Sequence, residues 1–214
     1  MTVAYSVEEF VQQHLNKVIL GALMVLLAGA VFFLIYQHVN AAKRAAAEQF
    51  YEGFSALNSK DYQRAEMKFD ALIADHPSSA AAGLARFYRA IAYFDSGNLT
   101  KAREALQDYT RGHVPASLRE LALMDLGIVD EQMHDYAAAI GAYRQAAELK
   151  GPESNNARIA IARVLQLQGK REAAIKAYQD FLSTDPYAPQ RETVIEALAN
   201  LGVSAPGSAS TSTP

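Results

Sequence analysis

Cysteine is absent from the 214 residues, which excludes disulfides, thiol catalysis and cysteine-based zinc sites. The redox compartment stays open, because a cysteine-free chain persists equally well on either side of a membrane. Tryptophan is absent as well. An excess of positive charge is also missing. Twenty Lys and Arg stand against twenty-three Asp and Glu, a net charge of −3. Nucleic-acid binding calls for a basic footprint, so that class is set aside. With 50% hydrophobic and 20% charged residues, a buried core is available and global disorder is excluded. The mean hydropathy of −0.06 is an average over very unequal segments.

Signs of catalysis are equally scarce. The five histidines, His14, His38, His76, His113 and His134, form no pair three or four residues apart, the spacing that puts two metal ligands on one helix face. No nucleophile elbow or Gly-rich phosphate loop occurs. The adjacent carboxylates Glu8-Glu9 and Asp130-Glu131 point in different directions if helical, which does not suit acid–base pairing. The sequence therefore predicts a non-enzyme with no cofactor, no metal and no small-molecule substrate.

One segment holds most of the apolar excess. Val18–Tyr36 (VILGALMVLLAGAVFFLIY) is free of charge, and no charge occurs between Lys17 and Lys43. As a helix these nineteen residues span roughly 28 Å, close to the hydrocarbon thickness of a bilayer. A soluble core helix rarely stays apolar on every face for five turns. The run is longer than the apolar part of a signal peptide and follows a leader, residues 1–17, that carries Glu8 and Glu9. The segment is thus predicted to be an uncleaved transmembrane helix, residues 18–36, in contact with the lipid bilayer. Lys17 and the α-amine on one side nearly balance Lys43 and Arg44 on the other. The count leans slightly toward a cytoplasmic C-terminal domain.

Residues 41–201 read as helix throughout, rich in Ala, Leu, Glu, Gln, Arg and Lys. The stretch is periodic. Ala65, Ala102, Ala139 and Ala174 recur at spacings of 37, 37 and 35 residues. Four residues after each stands a bulky group: Phe69, Leu106, Tyr143 and Tyr178. Twelve before each stands a small one: Gly53, Ala90, Gly127 and Ala162. A proline follows each unit: Pro77, Pro115, Pro152 and Pro186. Turn residues divide every unit in two, at Asn58–Asp61, Ser96–Asn98, His134-Asp135 and Gly169-Lys170. The pattern predicts four helix–turn–helix units, in which the small residue lets the second helix approach and the bulky one fills the space beside it. Gly97 and Gly169 suit a helix end that needs positive φ. Gln190–Leu201 reads as a capping helix, and residues 202–214 as a polar, disordered tail.

These offsets resemble the tetratricopeptide repeat over roughly residues 46–187, although the periods exceed the usual 34 and the first-helix Trp is missing. The resemblance implies an all-α solenoid of four helix pairs. A narrower likeness rests on Val7-Glu8-Glu9-Phe10 before the apolar run and Ala45–Tyr51 (AAAEQFY) after it. With the short leader and single anchor, these resemble the YfgM-like family of ancillary Sec-translocon subunits. That resemblance implies a bacterial inner-membrane protein with periplasmic repeats, acting with translocon subunits, periplasmic chaperones and exported clients. It opposes the charge count and is preferred to it.

Solenoid repeats offer surface rather than chemistry. The first helices carry more apolar residues than one packing stripe requires: Phe50, Phe54, Leu57, Phe87, Ile91, Phe94, Met124 and Ile128. They are the candidate lining of a groove for a polypeptide partner; the other reading is that each packs against neighbouring repeats. A scaffold that tethers an envelope-assembly, cell-division or cytoplasmic complex to the membrane is the alternative function.

Overall fold

In the computed structural model, residues 15–203 are described, and among them all regular structure is helical, in nine helices. The leader before Leu15 and nearly all of the polar tail lie outside the described residues, as does His14. The chain divides into two units, Met1–Glu48 and Gln49–Pro214. Helix α1 (Leu15–Asn58) is continuous for 44 residues, so the apolar run and the first helix of the first repeat are one element. It is long and apolar enough to cross a membrane. Its large side chains from Ile19 to Tyr36 are 49–72% exposed, so the first unit hides none of them within itself. The remaining helices are α2 (Tyr62–Asp75), α3 (Ala80–Asp95), α4 (Leu99–Arg111), α5 (Ala116–Gln132), α6 (Tyr136–Glu148), α7 (Ser154–Leu167), α8 (Arg171–Thr184) and α9 (Arg191–Asn200).

The four repeats pair the end of α1 with α2, α3 with α4, α5 with α6 and α7 with α8. Each pair turns on the same backbone hydrogen bonds. The residue just past the first helix, Lys60, Gly97, His134 or Gly169, has φ between 59° and 83° and donates to the carbonyl three residues back. The next residue donates five residues back, which completes a Schellman closure. Glycine takes this conformation at no steric cost in two repeats, whereas Lys60 and His134 hold it with a side chain attached. The following helix starts at once. Asp61, Asn98 and Asp135 each accept a hydrogen bond from the backbone N–H three residues on, at 3.1–3.3 Å. Lys170 occupies that place in the fourth repeat and makes no such bond.

Packing follows the expected small-to-large contact. A methyl group on Gly53 would sit 2.7 Å from the Phe69 ring, and one on Gly127 would press still closer on the Tyr143 ring. Phe69 and Tyr143 are fully buried there, as are the Ala90–Leu106 pair and Ala162. Burying such a side chain stabilises the fold by about 2–3 kcal/mol. One core cluster joins Phe87, Ala90, Leu106, Tyr109 and Leu126 across the second and third repeats. Another joins Leu123, Tyr143, Ala157 and Val164 across the third and fourth. Helix α9 closes the series, with Val194 and Leu198 fully buried against Phe181 and Leu182. The Arg171 guanidinium donates to the Leu201 carbonyl at that end.

Candidate interaction surface

Each helix packs on the next along the series, and α5 packs on α7 as well. Two of the eight groove candidates are inside this arrangement. Leu57 is 8% exposed, and Phe87, 4% exposed, meets Tyr109 with ring centres 5.6 Å apart. Phe50 and Phe54 are half-buried and stack at 6.0 Å, with Tyr88 edge-on to both at 5.6 and 5.1 Å. Ile91 and Phe94 lean on the core that contains Phe87, and Met124 leans on the one that contains Tyr143. Ile128 alone of the eight is exposed, at 38%.

Two more large apolar residues of the first helices are exposed. Leu121 is 39% exposed and lies seven residues before Ile128 on α5, hence on the same face. Leu167, at the end of α7, is 53% exposed. Leu121 and Leu167 were not among the residues singled out from composition, although helical periodicity points to Leu121. The buried side of α5 is fixed by Ala122, Leu123, Leu126, Gly127 and Val129, which leaves Leu121 and Ile128 exposed, with Asp125 half-buried between them. Burial pushes its carboxyl up to about 6, with the Asp95 and Glu153 carboxylates adding to the shift. Farther along, Ile159, Arg163, Gln166, Thr193, Glu196 and Ala197 help to line a cleft of about 300 Å³ where α7, α8 and α9 meet.

Polar ties hold this surface in shape. Glu131 accepts the Tyr143 hydroxyl at 2.5 Å and both Arg163 amino groups at 2.6 Å, linking the third repeat to the fourth. Burial and then the Glu131 carboxylate hold the Tyr143 hydroxyl in its neutral form. Arg103 on α4 bonds Asp130 at 2.5 Å and Asp135 at 2.6 Å, tying the second repeat to the turn of the third. Burial raises the Asp130 pKa, and Arg103 pulls against that rise. Glu120 is buried with its carboxylate against Gly151, and it accepts the Glu153 N–H at 3.1 Å. Asp130-Glu131 is thus a pair of structural links on two different faces. Among the described residues no group of three His, Asp or Glu is placed to hold a metal ion.

Comparison with solved structures finds the same architecture. The chain is similar to a kinesin light chain-like tetratricopeptide protein of Podospora anserina, with a TM-score of 0.60 and 14% identity, over 75% of this chain and 85% of that one. It is similar to MamA, with a TM-score of 0.55 and 18% identity, over 73% and 82%. It is also similar to a tetratricopeptide repeat protein of Parabacteroides merdae, with a TM-score of 0.61 and 12% identity, over 74% and 60%. At these identities the likeness concerns the fold. Among curated proteins none matches the sequence. The model of the tetratricopeptide repeat-like domain matches residues 9–202. With the helix pairs, their recurrent turns and their solenoid neighbours in place, the chain belongs to the tetratricopeptide repeat-like domain family, a protein-interaction module.

Proposed function

We propose that this is a membrane-anchored, non-enzymatic receptor for polypeptides, working beside the Sec translocon of a bacterial inner membrane in a chaperone-like role. The observation that carries the anchoring is helix α1, whose apolar side chains are exposed for five turns before the helix enters the repeats. Water is a poor solvent for that surface and lipid a good one. Polypeptide capture rests on the repeat family and on the unpartnered apolar groups Leu121, Ile128 and Leu167 of the first helices. Ile91, Phe94 and Met124 are half-buried on the first helices α3 and α5, and Phe50 and Phe54 are half-buried on the first helix of the first repeat. The translocon and the periplasmic side rest on the likeness of the leader and the Ala45–Tyr51 entry to the YfgM-like family.

Topology and capture are tested together. Alkaline phosphatase fused after Pro214 is expected to be active in a bacterial host. A photo-crosslinker at Ile128 is expected to trap exported polypeptides or translocon subunits, while one at the exposed Arg144 of α6 traps few. Lys43 and Arg44, exposed just beyond the apolar run, favour the cytoplasmic scaffold instead. An inactive phosphatase fusion, with fluorescence from a cytoplasmic reporter at the same site, would establish that reading and discard the translocon one.

A further inference from the structure

The second repeat departs from the third where both should be apolar. Leu123 and Leu126 of α5 are buried core residues. One period earlier, on α3, the same positions are Arg86 and Arg89. They line a cavity of about 390 Å³ between α3 and α4, closed by the 112–114 connection, where Tyr109, His113 and Val114 complete the wall. Arg86 has no carboxylate partner among the described residues and donates to the Pro77 carbonyl at 3.0 Å. Arg89 spends one amino group on Asp70 at 2.6 Å, while its Nε is buried with no acceptor. A third guanidinium reaches the same connection: Arg119 donates to the Gly112 carbonyl at 2.9 Å, and its Nε is likewise buried without a partner. The nearest acid on the lining is Asp108, whose side chain is 81% exposed and turned toward Arg111.

Replacing two core leucines by arginines loses apolar burial, and leaving buried N–H donors unmade costs more. An oxyanion repays both, since guanidinium groups offer charge-assisted, bidentate donors to carboxylate and phosphate. The Ala105 side chain, Val114 and the Tyr109 ring give the cavity an apolar wall beside its cationic end. We propose that this cavity is a binding site for an oxyanion, carboxylate or phosphate, carried on a short apolar stem. The site is separate from the first-helix surface and does not depend on the translocon reading.

The test uses the full chain in non-ionic detergent, which brings no headgroup phosphate, with inorganic phosphate and acetate as separate probes at constant ionic strength. A saturable rise of the melting midpoint is expected, roughly 3–6 °C once the probe is tenfold above its dissociation constant. The rise is lost in Arg89→Leu, which installs the third repeat's residue, and reduced in Arg86→Gln, which installs the first repeat's Gln49. Comparison with the variants cancels the general stabilising effect of the salt. A response to phosphate alone identifies phosphate as the ligand group, and a response to acetate alone identifies carboxylate. If Arg89→Leu does not fold, Arg86→Gln decides. Equal shifts in wild type and folded variants, or no shift with either probe, overturns the proposal.

Discussion

The third and fourth repeats share one backbone plan and hold it with different chemistry. In the third, Gly127 admits the Tyr143 ring, Asp135 caps α6, and the turn residue at positive φ is His134. In the fourth, Ala162 faces Tyr178, Lys170 stands where the cap belongs, and the turn residue is Gly169. Asp125 in the third corresponds to Ala160 in the fourth. The fold therefore demands a close approach, a left-handed turn and a helix start. It does not demand the same residue at each. Degeneracy of the repeat is the sum of these local exchanges, and each one can be reversed singly.

The largest effect is expected at the close approach. Gly127→Ala raises helix propensity by about 1 kcal/mol in isolation. Its new methyl lands on the Tyr143 ring, which is fully buried and tethered through its hydroxyl to Glu131. Overpacking wins, and the net loss is expected at roughly 3 kcal/mol, read as a lower urea midpoint of the detergent-solubilised chain. Ala162→Gly in the fourth repeat tests the same rule from the other side, with a loss of only about 1 kcal/mol from propensity. If Gly127→Ala is neutral or stabilising, the small-to-large contact does not govern the pair.

Asp125 gives a pH-dependent difference between the two repeats. Its carboxyl titrates near 6 in the folded chain against an ordinary value of 3.8. Below about pH 4 it is protonated both folded and unfolded, and its full contribution is present. As pH rises through 4 to 6 the unfolded chain releases the proton first, so stability falls, and the loss is complete above the folded pKa. Asp125→Asn, or the fourth repeat's alanine, is expected to stabilise by about 1–2 kcal/mol at pH 7.5, a range discounted for its half-buried position, and by almost nothing at pH 4. Urea melts at both pH values check this. An equal gain at the two pH values would assign the effect to packing instead of charge.

Much of this plan was legible in the residues. The spacing of Ala65, Ala102, Ala139 and Ala174 predicts the helix pairs, and the glycines at 53 and 127 predict the ring contacts. Gly97 and Gly169 announce their left-handed turns. Lys60 and His134 do not, because nothing local to a lysine or histidine signals positive φ; only alignment to the other repeats reveals it. The interaction surface was less legible for a related reason. Composition marks Phe87 and Leu57 as surplus apolar residues, yet the fold buries both, and it exposes Leu121 and Leu167. Which apolar residues remain outside depends on how neighbouring repeats stack, a non-local outcome. The Arg86–Arg89 cavity hides for the same reason, since two arginines on a helix ordinarily read as a solvated face.

The smallest effect concerns the missing cap, and it separates two contributions at one position. Lys170 is in the N-cap place of α8 and contributes only its backbone carbonyl, which accepts the Ala174 N–H; the Ala173 N–H lacks the side-chain acceptor that Arg64, Lys101 and Ala138 find in the other repeats. Its ammonium also stands at the positive end of the helix dipole. Lys170→Ala removes the charge without adding an acceptor. Lys170→Asn adds the acceptor without a negative charge, and Lys170→Asp adds both. The urea midpoint is expected to rise in that order, with Lys170→Asp gaining about 1 kcal/mol. Glu172 already supplies a negative charge in the first turn, so most of the gain is expected from the hydrogen bond, and Asn should approach Asp closely. If Ala gains as much as Asp, the lysine acts only through charge. If none of the three gains, the Schellman turn at Gly169 alone fixes the start of α8, and the fourth repeat does without the device that the other three share.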